Sequence, residues 1–352
     1  MRIGIFLQDL KSGGAEKIMV GFANYLANNT EDEVFLILVR KEGPYLVLVT
    51  DKVNVVDLNK TKTLYAFGAL RKQIKELKID LLYSTLVNAN ILALLVSKLT
   101  RCKVIIREAN TIQLLHEKEK RKLIRIANFL TGYLYNWCYK CIAISQSVKT
   151  DLVKFTNCRE DKIHVIYNPI MVKDDVEASL DKSFFHVGMV SRLTTQKNIP
   201  TIYKVIDSLL AKGLNIQFHF FGEGDSTKIK ELITKYPDRN NIILHGFELS
   251  YYSYVKQMDT FIHIPLWEGL GNSVLEIYTS GIPMILSNVQ SGFSELIAKD
   301  EVNVHYVDPF DAAGAATIVE NYYKKSFKVL EGRKKLNLYP HEIYDAYRTL
   351  AG

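Results

Sequence analysis

Short apolar runs alternate with longer segments of helical periodicity along most of this chain. Short runs rich in branched and aromatic residues are typical of strands buried on both faces. The longer segments are amphipathic, as in Ala15–Leu26, where Ile18, Phe22, Tyr25 and Leu26 share one face. This alternation predicts an α/β protein with parallel, doubly wound sheets. We expect strands at Ile3–Leu7, Val34–Val39, Leu81–Ser84, Val104–Ile106, Cys141–Ile144, His164–Tyr167, Phe184–Val190, Gln217–Phe221, Ile242–Leu244, Thr260–Ile264 and Met284–Leu286.

One break interrupts the alternation, because residues 168–182 are polar, acidic and without a strong period. A chain of 352 residues is long enough for two domains of ordinary size. Ligands of doubly wound sheets bind at the carboxyl ends of the strands, so an active site between two such domains would lie in their cleft. We therefore predict Rossmann-like domains over 1–168 and 183–325, a linker over 169–182 and a helical segment over 326–352.

The composition excludes several classes of protein. A hydrophobic content of 48% with 24% charged residues is globular, not disordered or fibrous. No apolar stretch approaches the about 20 residues that span a bilayer, and the amino terminus carries no signal-peptide cleavage site. We expect a cytoplasmic protein, at most peripheral to the inner face of the membrane.

Charge and cysteine content narrow the partners. The net charge of +7 suits a nucleotide diphosphate or an anionic membrane surface, and no aromatic-basic motif supports nucleic acid. The pair Cys138 and Cys141 has zinc-ligand spacing, but no second pair completes a site. Four cysteines are too few for a disulfide framework, and we interpret this pair as small buried hydrophobes and expect no metal.

The most informative segment runs from Glu268 to Glu276, with the sequence EGLGNSVLE. It follows an apolar run and leads into an apolar helix, so it predicts a strand, a glycine loop and a helix. Free amides at a helix start suit a diphosphate, and glycines let the backbone approach it. Two acids beside such a loop indicate a sugar nucleotide; alternatively, each is an exposed acid near a helix N-terminus.

Other candidate chemistry follows further strands. Arg192 and Lys197 lie in a loop after the first strand of the second domain, where they would neutralise a diphosphate or remain solvated surface charges. Gly13 and Gly14 form a turn that feeds a helix, a weak signal by itself. The segments 221–224 and 245–247 end two more strands as glycine turns.

These elements resemble the retaining glycosyltransferases of the GT-B fold, in particular the large family 4 (group 1) type found in bacterial surface-polysaccharide synthesis. The resemblance covers nearly the whole chain. Its strongest parts are the E-x7-E pair Glu268/Glu276 and the R-x4-K pair Arg192/Lys197, which agree in type, spacing and order. It implies two Rossmann-like domains facing across a cleft, with a C-terminal helix that crosses back to the first domain.

The resemblance also implies roles for the residues. Glu276 would hold the ribose hydroxyls, Glu268 would lie beside the donor sugar, and Arg192 with Lys197 would stabilise charge on the leaving diphosphate without metal or cofactor. The donor would be a nucleotide-diphosphate sugar, with UDP as our expectation although the turns do not specify the base. The implied donor-binding residues are Gly13, Gly14, Gly222, Gly246, Phe247, Gly269, Leu270, Gly271, Asn272, Ser273, Val274 and Glu276.

The first domain departs from the family. Many members carry a His after the fourth strand, beside the donor sugar, where this chain has Glu108 and Asn110. Glu108 is a candidate catalytic group that orients the acceptor hydroxyl or acts as a weak base, or else it forms a salt bridge with Arg107 or another cation. Asn110 and Asn88 are candidate acceptor ligands. The simpler interpretation of Asn88 and Asn90 is a helix cap.

The stretch 118–137 is amphipathic, with an apolar stripe that ends at Leu134 and Trp137 and a basic opposite side. It predicts a core-facing helix with a solvated basic face, or peripheral membrane contact helped by Phe129, Tyr133 and Tyr135. The second possibility suits an enzyme whose acceptor is a lipid-linked saccharide.

We therefore predict a retaining glycosyltransferase that moves a hexose or N-acetylhexosamine from a nucleotide-diphosphate sugar to a saccharide hydroxyl, on a lipid-linked acceptor in lipopolysaccharide or capsule synthesis. Two alternatives remain at this point. One is a sugar-nucleotide epimerase of the same fold, and the other is a non-catalytic sugar-nucleotide-binding subunit of a partner transferase.

Overall fold

The computed structural model of this protein describes residues 1–11, 13–110, 131–237, 240–325 and 331–352. These residues form two compact units. The first comprises Met1–Pro169 together with Leu338–Gly352, and the second comprises Ile170–Asn337. Each unit contains one parallel sheet with helices, so the predicted α/β class is confirmed.

The first unit is built on a seven-stranded sheet in the order β3-β2-β1-β4-β5-β6-β7, with every described pair parallel. Its strands are β1 Arg2–Leu7, β2 Glu33–Leu38, β3 Asn54–Asp57, β4 Leu81–Thr85, β5 Lys103–Glu108, β6 Lys140–Ala143 and β7 Ile163–Val165. Its α-helices are α1 Gly14–Asn29, α2 Phe67–Glu76, α3 Val87–Thr100, α4 Gln146–Phe155 and, after the second unit, α11 Pro340–Thr349. Single 3-10 turns lie at Pro44–Leu48, Thr63–Ala66, Tyr135–Trp137 and Glu160–Lys162.

The second unit is built on a six-stranded parallel sheet in the order β10-β9-β8-β11-β12-β13. Its strands are β8 Phe185–Val190, β9 Ile216–Phe221, β10 Ile242–Gly246, β11 Thr260–His263, β12 Met284–Ser287 and β13 Val304–Val307. Its α-helices are α5 Ile199–Ala211, α6 Thr227–Lys235, α7 Tyr251–Val255, α8 Asn272–Tyr278, α9 Gly292–Leu296 and α10 Ala312–Tyr323, with a 3-10 turn at Thr195–Lys197. Apolar residues of α5, α6 and α10 pack with those of β8, β9 and β12 in one buried cluster.

The predicted strands all appear, within one or two residues at their ends. Two further strands, Asn54–Asp57 and Val304–Val307, were not predicted. Each lies at the outer edge of its sheet. An edge strand is only partly covered, so its sequence needs no continuous apolar run. Asn54 and Asp57 are exposed, and His305 and Tyr306 are half-buried.

The C-terminal helix α11 is part of the core of the first unit. Tyr347 is fully buried and lies edge-on against Phe22 of α1, with 5.3 Å between the ring centroids. The Tyr83 hydroxyl of β4 donates to the Tyr347 carbonyl over 2.8 Å, and the buried Arg107 donates from Nε to the Tyr347 hydroxyl over 3.0 Å. The last helix thereby packs onto α1, β4 and β5 of the first unit.

The predicted cap at Asn88 and Asn90 is wrong. Helix α3 already begins at Val87, and its cap residue is Leu86, whose φ of +72° lies in the left-handed region and whose side chain makes no cap bond. Asn88 is exposed in the first turn of the helix. Asn90 is fully buried, and its side chain forms hydrogen bonds inside the core instead of capping the helix. Its Oδ1 accepts from the Ser84 hydroxyl over 2.5 Å.

Residues 118–130, which make up most of the predicted basic helix at 118–137 and include Phe129, lie outside the described residues. Of its aromatics, Tyr133 is exposed, whereas Tyr135 is fully buried and therefore is not a membrane-contacting side chain. Within the described ranges, no helix is long and apolar enough to cross a bilayer. All four cysteines are buried and free, so the predicted burial of Cys138 and Cys141 is confirmed.

Candidate active site

The predicted glycine loop lies between β11 and α8 in the second unit. Helix α8 begins at Asn272, and its cap residue Gly271 has a φ of +81°. A Cβ added at Gly271 would lie 2.8 Å from a ring carbon of Phe293. Both the backbone conformation and this close contact therefore require glycine. The Ser273 hydroxyl donates to the Val190 carbonyl over 3.0 Å, which fixes the start of the helix against the carboxyl end of β8.

Lys197 and Glu268 form an ion pair in this loop region. The Lys197 ammonium contacts Oε2 of Glu268, and their side chains are only 13% and 10% exposed. Burial by itself raises the pKa of Glu268, but the Lys197 charge and the hydrogen bond from His263 outweigh it and lower that pKa to about 2. Glu268 is therefore a carboxylate at neutral pH. The interpretation of these two groups as separate solvated charges is wrong.

Backbone and side-chain hydrogen bonds join the loop after β8, which contains Lys197, to the loop after β11, which contains Glu268. The Leu266 amide donates to the Gln196 carbonyl over 2.9 Å, and Nε2 of Gln196 donates to the Trp267 carbonyl over 3.1 Å. Asn198 is buried with a φ of +58°, and its Nδ2 donates to the Ile264 carbonyl over 3.1 Å. Asn198 and Gln196 are site-building residues that the sequence analysis assigned no role.

His263, at the end of β11, is a further residue that the sequence analysis missed. Its Nε2 lies 3.2 Å from Oε2 of Glu268, the oxygen that also contacts Lys197. The ring is only 1% exposed. Its place in a short apolar run gave no signal, since a histidine in such a run usually fills the core.

The other predicted donor residues lie near the same edge of the sheet. Arg192 is exposed after the end of β8, and among the described residues its guanidinium is in no ion pair. Glu276 is buried in α8, five positions into the helix. Gly222 has a φ of +141°, and a Cβ there would lie 2.1 Å from the Ser191 carbonyl oxygen. The Gly222 amide donates to the Gly246 carbonyl over 2.6 Å, so the two glycine turns at 221–224 and 245–247 contact each other.

Three histidines, one on each of β8, β9 and β10, contact one another through their ring nitrogens. Nδ1 of His186 lies 2.9 Å from Nε2 of His219, and Nδ1 of His219 lies 3.0 Å from Nε2 of His245. The Asp181 carbonyl, 2.8 Å from Nε2 of His186, only accepts, so that nitrogen carries hydrogen. Burial, followed by the neighbouring histidines, lowers the pKa of His219 to about 3. The His219 ring is therefore neutral at physiological pH.

The predicted residues of the first unit lie on separate elements. Gly13 caps α1 and Gly14 is its first residue. Asn88 is exposed in α3, and Asn110 is half-buried just after β5. The structure thus places these residues on three segments of one unit, and their roles toward donor or acceptor stay predictions.

Glu108 ends β5 with no exposed surface. The Tyr135 hydroxyl donates to its Oε2 over 2.7 Å, and Asn90 donates to that hydroxyl over 3.2 Å. Burial raises the pKa of Glu108 to about 7, although the hydrogen bonds that this carboxylate accepts from Tyr135 and from the amides of Asn110 and Ala109 partly oppose the rise. The predicted salt bridge with Arg107 is wrong, because the guanidinium is directed to Tyr347, Thr85 and Asn168. A catalytic role for Glu108 stays a prediction.

No cluster of metal-ligating side chains occurs in the part of the chain that the structure describes. The two predicted cations, Arg192 and Lys197, lie after the end of β8, and their role toward a diphosphate stays a prediction.

Two family models match the chain. Glycosyltransferase Family 4 matches residues 12–173, and Glycosyl transferases group 1 matches residues 173–337. The chain is 25% identical over 317 residues to N-acetylgalactosamine-N,N'-diacetylbacillosaminyl-diphospho-undecaprenol 4-alpha-N-acetylgalactosaminyltransferase of Campylobacter jejuni, which covers 85% of this chain and 84% of that protein. It is 26% identical over 168 residues to an uncharacterised glycosyltransferase of Methanocaldococcus jannaschii, and this match spans 47% of the chain but only 41% of the relative.

The fold has solved counterparts. The structure of Anabaena Alr3699/HepE in complex with UDP and glucose superposes with a TM-score of 0.75 at 19% sequence identity, covering 100% of this chain and 94% of that one. At this identity the likeness concerns the fold, which is GT-B. Because the two family models meet at residue 173 and extend from residue 12 to 337, the chain belongs to the glycosyltransferases, with a family 4 amino-terminal half and a group 1 carboxyl-terminal half.

Proposed function

We propose that this protein is a retaining glycosyltransferase that moves a hexose or N-acetylhexosamine from a UDP-sugar to a saccharide hydroxyl on a lipid-linked acceptor, in cell-surface polysaccharide synthesis. The observation that carries the proposal is the buried Lys197–Glu268 pair beside the Gly271 turn. A cation and an acid, held together next to a loop of backbone amides, match the needs of a sugar diphosphate.

Each charged residue has a part in this proposal. Lys197 and Arg192 neutralise the diphosphate as negative charge develops on it, which is transition-state stabilisation by fixed charges and requires no metal. Glu268 accepts hydrogen bonds from the donor sugar. Glu276 accepts hydrogen bonds from the ribose diol, and the amides of residues 269–274 hold the phosphates.

Retention of configuration needs no protein nucleophile in this scheme. The bond from the anomeric carbon to the diphosphate oxygen breaks while the acceptor oxygen bonds to that carbon on the same face. The acceptor proton passes to the departing phosphate. Glu268 is paired with Lys197, so its role is to bind the sugar and balance charge rather than to attack the anomeric carbon.

The relatives support the choice of donor and acceptor. The Campylobacter protein is named for a diphospho-undecaprenol acceptor, and the Anabaena structure holds UDP and glucose. By analogy we propose a UDP-linked donor and a polyprenyl-diphosphate-linked saccharide as acceptor. Contact with the membrane that carries such an acceptor is part of the same proposal.

A thermal-shift panel tests the donor site. Wild type, Glu276→Ala and the control Glu231→Ala are melted with UDP, GDP, ADP, UDP-glucose and UDP-N-acetylgalactosamine. Glu231 is an exposed acid on α6 that pairs with Lys228 and is not part of the glycine loop. The control variant therefore also loses one carboxylate, but not at the proposed site. We expect UDP compounds to raise the melting temperature of wild type and control but not of Glu276→Ala. The absence of a shift with every nucleotide would refute the proposed donor.

A transfer assay separates the transferase from its rivals. Proton NMR of the product gives the anomeric configuration and shows whether the sugar is attached to an acceptor. We expect an axial-to-axial outcome with a polyprenyl-diphosphate saccharide, and a loss of about 100-fold or more in turnover for Lys197→Ala, as for other groups that stabilise transition-state charge. Free epimerised sugar nucleotide without acceptor would favour the epimerase. Binding without turnover on any acceptor would favour the non-catalytic subunit.

A further inference from the structure

His263 contacts Glu268 of the proposed donor site and packs between two aromatic rings. Its ring stacks parallel to Phe261, with 6.1 Å between centroids, and Phe293 meets it edge-on at 6.2 Å. The side chain is 1% exposed. Solvent therefore does not reach it, and its one hydrogen bond among the described residues is to Glu268.

The protonation of His263 follows from its partners. Burial lowers its pKa, so the ring is neutral at physiological pH. A carboxylate can only accept, hence Nε2 carries the hydrogen and donates it to Oε2 of Glu268 over 3.2 Å. Nδ1 is then an unprotonated acceptor, and it is buried without a hydrogen-bond partner in the described part of the chain. The ring thus supplies a directed donor without adding positive charge beside Lys197.

Both donors to Glu268 converge on one carboxylate oxygen. Lys197 and His263 each contact Oε2, and no described residue donates to Oε1. Because two donors from different elements fix Oε2, the carboxylate cannot rotate about its last torsion without losing one of them. Oε1 is left to accept a hydrogen bond from elsewhere.

We propose that His263 is a positioning residue, which holds Glu268 by its Nε2–H so that Oε1 is presented to a hydroxyl of the donor sugar. This inference rests on the proposed donor site. It assigns separate roles to the two residues that contact Glu268. Lys197 balances the charge of the carboxylate, and His263 sets the orientation of the carboxylate group.

The test compares His263→Phe with His263→Gln. Phe keeps the aromatic filling but has no donor, whereas the side-chain amide of Gln places an N–H near the position of Nε2. Isothermal titration measures the affinity for UDP-glucose and for UDP, which lacks the sugar. We expect His263→Phe to lose about 10-fold or more in affinity for UDP-glucose, which is the scale of one hydrogen bond to a charged group, with little change for UDP. Gln should recover part of the loss.

A second measurement reports on the contact without any substrate. Carbon-13 NMR of glutamate-labelled protein, with the Glu268 signal assigned through Glu268→Gln, follows the acid titration of this carboxyl. Losing a hydrogen bond to the charged form raises a carboxyl pKa, so the midpoint should rise in His263→Phe and return toward wild type in His263→Gln. If His263 only filled space in the core, the Glu268 pKa would not rise in His263→Phe and return in His263→Gln.

The outcomes separate the two proposals. If His263→Phe binds UDP-glucose and UDP as wild type does, the positioning role is overturned, while the donor site stands. If the Glu268 titration is the same in wild type and His263→Phe, the contact itself is overturned. If wild type binds neither UDP nor UDP-glucose, the proposed function fails, and the positioning role fails with it even where the titration moves.

Discussion

Replacing Lys197 by methionine should leave a buried carboxylate without its counter-charge. Methionine retains most of the length of the side chain, so packing is conserved while the ammonium is lost. The two side chains are 13% and 10% exposed, which limits solvation of the remaining charge. Removing one partner of a buried pair costs about 3–5 kcal/mol. We expect the lower end, about 3 kcal/mol, because the hydrogen bond from His263 to Glu268 remains.

The double variant Lys197→Met/Glu268→Gln is the matched control. It removes both charges, keeps a polar group for His263 and should recover most of the lost free energy of unfolding. The pH dependence gives a second check. In wild type the pKa of Glu268 is about 2, below its unfolded value, so its contribution to stability is lost only as the pH falls toward 2. In Lys197→Met this pKa rises, so the deficit should be smaller at pH 5 than at pH 7.5.

The chain offers a convenient probe for this measurement. It has two tryptophans, Trp137 in the first unit and Trp267 in the second, directly before Glu268. In a Trp137→Phe background, urea unfolding followed by fluorescence reports on the second unit alone. Urea is uncharged and does not screen the pair. A difference below about 1 kcal/mol, the range of an exposed ion pair, or a double variant no more stable than the single one, would refute the reasoning.

Three further predictions use the same unfolding assay. Gly271→Ala should lower the free energy of unfolding by at least about 1–2 kcal/mol, because alanine is strained in the left-handed backbone conformation. The close contact of the added Cβ with Phe293 should lower it further, and an unchanged urea midpoint would contradict this. The pKa of His219 is about 3, below its unfolded value, so stability should fall as the pH drops below about 6.5, by up to about 1.4 kcal/mol per pH unit. His219→Gln should flatten this slope, and equal slopes would exclude His219 as the source. The pKa of Glu108 is about 7, above its unfolded value, so its contribution is present at low pH and lost as the pH rises through 7. Glu108→Gln should abolish that loss, read from Trp137 in a Trp267→Phe background, and a loss that persists would place its source elsewhere.

The fold was predictable because buried parallel strands require continuous apolar runs. Within the described residues, all strands of that kind were identified from the sequence. The two strands missed there, Asn54–Asp57 and Val304–Val307, are edge strands with polar or half-buried positions. The error at Asn90 has a different origin. An asparagine near a helix start favours capping, and only the tertiary contacts with Ser84 and Tyr135 show that it serves the interior.

The site was predictable in its parts but not in its contacts. Residue types and spacing identified Lys197 and Glu268 as members of two separate motifs. Their contact depends on the pairing of β8 with β11 and on the hydrogen bonds of Asn198, which no local pattern encodes. The part played by His263 was hidden for a similar reason, since a histidine inside an apolar run gives no indication of a partner five residues further on.

The packing of α11 has a consequence for the order in which the protein is finished during synthesis. A chain leaves the ribosome from its amino terminus, and domains generally fold as units as they emerge. The second unit is continuous and can close its core once Asn337 is made. The first unit lacks Tyr347, the partner of Tyr83 and Arg107, until the last helix has been translated. The half that is made first is therefore the half that is completed last.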